Sequence, residues 1–354
     1  MSAITTLDKL MERVVAEEAK NYDLLADTRR MSVETNEYDD VLLAVDGSDG
    51  EAESFYMNDH ALGQMSTDLL IPKRYFDRMR EHSFDLFRTN VHHWLYEQPT
   101  RRMVRSKRTE ADSLVARAWL SDRYRRLDNI EIATKLLPEF ARLGTDVEFH
   151  NAAITDTRFY LRATFPSMEK AVKVGDPVRW GVQIKNSEVG AGQFDISNFV
   201  LRLACTNGMV VTKVMSARHV GKRLGENLSD EAITADDKAF WLAARDELRA
   251  SIDVARFDEM LEVLKGTTEG AVIEAPIRAT ERLAKAYSLS ESEQEAVLTS
   301  LATGGDFTRW GALNAVTAAA KTVDSFDRQV EMEELGWTLA SLPEREWARL
   351  AVAA

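Results

Sequence analysis

The chain has 354 residues, 45% of them hydrophobic and 29% charged, a net charge of −13 and a single cysteine. Its length exceeds what one hydrophobic core organises, so two or three subdomains are expected of an otherwise ordinary globular composition. No apolar run approaches the roughly 20 residues that span a bilayer and the N-terminus lacks a cationic, then apolar, leader; Cys205 alone excludes internal disulfides and cysteine-rich zinc sites, so a cytoplasmic protein with no membrane partner is expected.

Leu7, Leu10, Met11, Val14 and Val15 recur at helical spacing and predict a helix from Leu7 to about Leu25. A short strand, VLLAV (41–45), precedes the acidic turn DGSDG, which lacks the alternating ligands and closing Glu of a calcium loop and reads as a solvated turn. Asn58 and Pro72 each begin a helix, and the pair reads as a packing unit rather than a DNA-reading helix-turn-helix. His92 and His93 read as strand neighbours pointing to opposite sides, without partners at metal-ligand spacing.

The centre reads as strands. TRRMVRSKR (100–108) places cations at nearly alternate positions, as on a strand with one wet face, and SLVARAWLS (113–121) is its hairpin partner. A helix, NIEIATKLLPEFARLG (129–144), is capped by Asp128 or Asn129 and ended by Gly144. Strands FYLRATF, VRWGVQIKNS and FVLRLACTNGMVV follow, with Gly190 and Gly192 supplying a flexible turn between the last two. After about Ser229 only helical patterns remain, and Trp310, Leu313, Val316 and Thr317 fall on one side of a late helix, as core packing. The predicted fold is α+β: a central twisted, mostly antiparallel sheet with a helix on one face, plus an α-helical C-terminal domain.

Charge divides the chain the same way. Residues 1–70 carry 5 cations against 16 anions, 71–223 carry 27 against 17, and 224–354 carry 13 against 25. These are the expected domains: an acidic N-terminal helical and strand region, a basic α+β core and an acidic helical C-terminal domain. A concentrated basic surface attracts phosphate whatever the net charge of the whole.

The segments RAWLSDRYRRLDN, VQIKNSEVGAG, FVLRLACTNGMVV and WGALNAVTAAAKTVDSFDRQVEMEELGW, spread in order over most of the chain, resemble the landmarks of the phage/plasmid-like proteins, the family of domain of unknown function 932. The resemblance implies a home on phages, prophages or plasmids. It implies no reaction and no catalytic residues.

Motifs for catalysis are missing from the sequence. There is no GxxxxGK loop, no GxSxG elbow and no GxGxxG after a strand. Cys205 has no histidine near it in sequence and lies in an apolar strand, where it reads as a small core residue. Neither a cofactor, nor a metal, nor a catalytic set is expected. What stands out is basic and aromatic interleaving: Arg101, Arg102, Arg105, Lys107, Arg108, Arg117, Trp119, Arg123, Tyr124, Arg125 and Arg126. Phosphates need closely spaced cations and unstacked bases need flat groups to stack on. Lys185, Asn186 and Arg202 would extend the same face. The structural alternative makes Trp119 and Tyr124 core aromatics and pairs the arginines with Asp122 and Asp128.

The expected function is therefore phage-type nucleic-acid binding, with single-stranded DNA favoured, in replication or recombination. A homo-oligomer is compatible with it, and the expected fold is similar at architecture level to Redβ-type annealing proteins. A protein-interaction or assembly role through the acidic helices is the alternative, and a metal-dependent nucleic-acid enzyme the second.

Overall fold

The computed structural model describes residues 7–38, 40–47, 51–142, 146–217 and 230–352; the expected end of a helix at Gly144 and most of the DGSDG turn lie outside them. The first helix, α1 (Leu7–Glu18), buries Leu10 and Val14 and stops seven residues short of the expected end at Leu25. The chain continues as β1 (Asn21–Asp27), because every residue of NYDLLAD finds a partner on β5 (Arg101–Arg108), with Leu24 opposite Val104. Cross-strand pairing outweighs the local helical spacing.

Between them lie β2 (Met31–Thr35), β3 (Val41–Asp46), β4 (Ala52–Met57), α2 (Asp59–Asp68), α3 (Lys73–His82) and α4 (Phe84–Glu97). Asn58 caps α2 by accepting the Ala61 N–H at 2.8 Å, and Pro72 stands at the N-cap of α3, as expected. His92 and His93 lie on α4 rather than a strand; His92 Nε2 accepts the Val33 N–H at 2.9 Å, and His93 is exposed against Trp94. With β6 (Leu114–Ser121) these strands form a six-stranded sheet in the order β1-β5-β6-β4-β3-β2, antiparallel except where β4 meets β6. One face packs Val33, Leu43, Phe55, Val104 and Trp119 against Phe76, Phe87 and Val91 of the helices.

The sheet draws strands from both sides of residue 70, so the first change in charge falls inside one folded layer. A second sheet is a simple antiparallel meander of β7 (Glu148–Ile154), β8 (Phe159–Lys173), β9 (Asp176–Asn186), β10 (Phe194–Arg202) and β11 (Asn207–Ala217). The α+β class holds, with the expected single central sheet divided in two. The helix expected over 129–144 is broken into α5 (Asn129–Lys135) and α6 (Leu137–Arg142). Pro138 has no N–H to give the turn before it, which is where the break falls.

The C-terminal helices are α7 (Asp230–Ala250), α8 (Val254–Gly266), α9 (Pro276–Tyr287), α10 (Glu291–Gly304), α11 (Arg309–Ala319), α12 (Phe326–Ala340) and α13 (Glu344–Ala351). They share one core with the meander: Trp180, Ile196 and Met209 of the sheet are continuous with Trp241, Leu264, Trp310, Val316 and Trp347. The indole of Trp180 and the amide of Asn198 both donate to the Ser251 carbonyl between α7 and α8, at 3.1 and 3.0 Å. α11 is buried on nearly all sides, which is why its sequence is apolar all round.

Arg105 joins the two sheets. It is 1% exposed on the face of β5 that carries Met103, and its guanidinium reaches Asp23 of β1 at 3.1 Å, Asp128 at the head of α5 at 2.7 Å and the Glu188 carbonyl of the β9–β10 loop at 2.9 Å. Burial works against its charge, and Asp128 and Asp23 outweigh that and raise its pKa. The same loop is pinned by Gly190, at φ +73°, where a Cβ would sit 2.8 Å from the Leu120 side chain. Because removing one member of a buried charge cluster strands the others, Arg105→Ala should cost about 3–5 kcal/mol. Arg108→Ala, at an exposed side chain that pairs with Asp112 and lies 5.9 Å over the Tyr22 ring, should cost no more than ~1 kcal/mol. Urea unfolding of the two variants beside the parent chain measures both.

Candidate ligand cleft at the Arg202 turn

The expected phosphate-tracking strand is not an open surface. Both faces of β5 are covered from Met103 to Ser106, one by the helices and the other by the β9–β10 loop with the head of α5. Arg102 pairs with Asp68, Lys107 with Glu17, Arg117 with Glu188, and Arg126 with Asp23. Arg125 holds Asp237 at 2.7 Å and stacks 4.7 Å over Phe240. Trp119 is a core residue whose indole donates to Asp68, and the Tyr124 hydroxyl donates to the Ser187 carbonyl. Lys185 pairs with Glu334, and Asn186, 1% exposed, donates to Leu127 O and Asn129 Oδ1. Arg101, Arg108, Arg123 and Arg126 remain exposed. Alternation along a strand says which residues share a face, and not whether a distant loop covers it.

Arg202 is placed differently. It ends β10 beside the turn to β11, and its Nε and Nη2 grip the two oxygens of Asp176 at 2.6 and 2.7 Å. Asp176, 3% exposed at the start of β9, also accepts the Trp310 indole N–H at 2.8 Å, and the guanidinium lies 5.7 Å over the Trp310 ring. Among the described residues the remaining Nη1 meets only the Cys205 thiol, at 3.2 Å. Cys205 is half-buried at this edge, not the core residue expected. The turn itself is held in an unusual shape: Thr206, a β-branched residue, has φ +54°, and Lys321 clamps it by donating to Cys205 O and Thr206 Oγ1.

Beside this turn α10 and α11 open a cleft of about 710 Å³. Arg202 and Lys173 stand on one wall, the hydroxyls of Ser292, Thr299 and Thr303 on another, and Ala315 is among the small residues between them. Gly311 allows α11 to start tight against the preceding loop, since a Cβ there would fall 1.8 Å from the Asp306 carbonyl oxygen. Lys173 is paired with Asp306 at 2.6 Å. Two of the quoted landmark segments, around Arg202 and Trp310, therefore meet at this cleft. The other two, around Arg117–Asn129 and Asn186–Gly190, meet in the Arg105 cluster.

The sequence gives no direct sign of Asp176 or Lys173 as members of the site; the one available signal was that a guanidinium ending an apolar strand needs a carboxylate. Among the described residues no group of three or more His, Cys, Asp or Glu is placed to hold a metal ion, and no helix is long and apolar enough to cross a membrane.

Burial pushes the Asp176 carboxyl up, but the hydrogen bonds from Arg202 and Trp310 outweigh it and hold the group below its ordinary 3.8. Asp306 is likewise pushed up by burial and pulled lower by Lys173. A carboxyl depressed in the folded state stabilises the fold above its unfolded pKa, and that contribution is lost as pH falls through the folded value. The melting temperature should therefore drop as pH is lowered from about 4. Asp176→Asn should be less stable than the parent near neutrality and show a shallower acid loss, which a pH series of thermal melts checks.

A family model described as Domain of unknown function (DUF932) matches residues 117–335, from Arg117 in β6 to Leu335 in α12. No curated protein and no solved structure matches the chain.

Proposed function

The chain belongs to the family of domain of unknown function 932, and we propose that it is a nucleic-acid-binding protein that takes single-stranded DNA at the Arg202 cleft, seating one unstacked nucleotide there. The observation that carries this reading is the state of Arg202. One edge of its guanidinium is fixed by Asp176 and the other faces the cleft against a thiol, which is a weak acceptor that a phosphate oxygen outcompetes. A pre-set arginine pays little to orient when an anion arrives.

The cleft volume falls within the few hundred to about 1,000 Å³ usual for small-ligand sites. A hydroxyl-lined wall suits a sugar or base edge, and Lys173 stands on the Arg202 wall already paired with Asp306, so the anion contact falls to Arg202. Binding without conversion is the proposed activity, in a phage- or plasmid-borne protein working in the cytoplasm. The contact surface is this cleft and not β5, where Arg102, Arg105, Lys107 and Arg108 already answer carboxylates of the same chain.

Fluorescence anisotropy with a labelled oligothymidylate of about ten nucleotides tests the reading. Affinity should fall with rising salt by about one log unit of binding constant per log unit of salt for each phosphate engaged. Thr299→Trp, an exposed position that fills the cleft without touching the Asp176–Arg202 pair, should weaken binding about tenfold or more. Absence of binding at micromolar protein and low salt, or an unchanged affinity in Thr299→Trp, overturns it.

A further inference from the structure

A second polar groove lies between α5–α6 and α7 and shares no lining residue with the Arg202 cleft. It encloses about 560 Å³ and is lined by Lys135, Arg142, Lys238, Trp241 and Arg245, with Glu139 at its base. Glu139 is 1% exposed and three arginines surround its carboxylate: Arg142 at 2.7 Å, Arg249 at 2.5 Å and Arg245 at 3.7 Å. Of the other carboxylates, Glu131 answers Lys135 and the Trp241 indole within the groove, Asp237 holds Arg125, and Asp246 lies 3.7 Å from Arg249, which leaves Arg142, Arg245 and Lys238 to share Glu139.

One carboxylate cannot satisfy three guanidiniums. Arg245 is the one left over: its only approach to Glu139 is too long for a hydrogen bond, and its Nε is shielded from solvent without a hydrogen-bond partner. Its terminal nitrogens belong to a side chain that is 30% exposed and pair with no carboxylate but Glu139 among the described residues, so they can take an acceptor from the groove. The local excess of positive charge, held by groups on two facing elements, makes an oxyanion the ligand that would relieve it.

We propose that this groove is a phosphoryl-binding site, in which Arg245 and Arg142 contact the anion and Glu139 keeps the arginines gathered. Phosphoryl oxygens could come from a free phosphate compound or from a nucleic-acid backbone, and the test separates the two. Isothermal titration of the full chain with pyrophosphate at low salt should give saturable binding. Arg245→Gln and, separately, the more exposed Arg142→Gln should each weaken it about tenfold, while Thr299→Trp in the other cleft leaves it unchanged.

Oligothymidylate in place of pyrophosphate reports the source: loss of its binding in Arg245→Gln assigns the groove to a nucleic-acid backbone, and retention beside lost pyrophosphate binding assigns it to free phosphate compounds. No pyrophosphate binding by the parent chain overturns the site, as does unchanged affinity in either Arg142→Gln or a folded Arg245→Gln. These outcomes are independent of whether the Arg202 cleft binds DNA, since each site is read through its own substitutions.

Discussion

The contact on which the architecture turns is the buried guanidinium of Arg105, because it is where the two sheets are made into one body. A strand of the first sheet offers the cation, β1 offers Asp23, the head of α5 offers Asp128, and the loop ending β9 offers a carbonyl. Glu188 adds a second tie by accepting the Asn129 N–H and receiving Arg117. Such a cluster contributes little net stability against a well-packed apolar substitute, since desolvating each ion costs several kcal/mol. Its value lies in position: with the loop docked this way against β5, one guanidinium meets Asp23, Asp128 and the Glu188 carbonyl together. A shifted loop would bury at least one bare charge.

The same principle runs through the whole chain and changes the meaning of its charge map. Much of the described basic middle is turned toward the acidic flanks. Lys107 meets Glu17, Arg105 meets Asp23 and Arg102 meets Asp68 on the N-terminal side. Arg125 meets Asp237, Lys173 meets Asp306, Arg158 meets Asp327, Arg162 meets Glu333 and Lys185 meets Glu334 on the C-terminal side. α12 covers the polar face of the meander through three of these pairs, with Phe326 and Val330 packed on Tyr160 and its neighbours. A partition of charge along a sequence therefore has two physical outlets, an external polyanion or an internal complement, and composition alone does not separate them.

Local signals were legible where the chemistry is local. Asn58 and Pro72 start their helices, 100–121 is a hairpin, Gly190 supplies a left-handed turn, and the chain after residue 229 is helical. What stayed hidden depends on partners far away in sequence. β1 is extended because β5, some eighty residues later, pairs with it. Arg105 is buried because a loop at 188 lies over it. Asp176 belongs to the cleft because Arg202 and Trp310 both reach it from other elements. Arg202 in FVLRLACTNG combines both readings of the arginines: it meets a carboxylate at a buried edge and still lines a cleft.

Three arginines measure how far each cluster is committed to the fold. A guanidinium has five donors in a fixed fork, and the number already spent indicates what remains for a ligand. Arg105 spends its donors on two carboxylates and a carbonyl, so it is a structural tie with nothing to offer. Arg202 spends one edge on Asp176 and rests the other on a thiol, so it is anchored yet available. Arg245 shares a distant carboxylate with two competitors and makes no short contact with it. The first would not have been separated from the others by position in the sequence or by residue type, since all three are arginines beside apolar segments. Donor satisfaction separates them, because evolution of a fold fills buried hydrogen-bonding groups unless something that arrives later fills them instead.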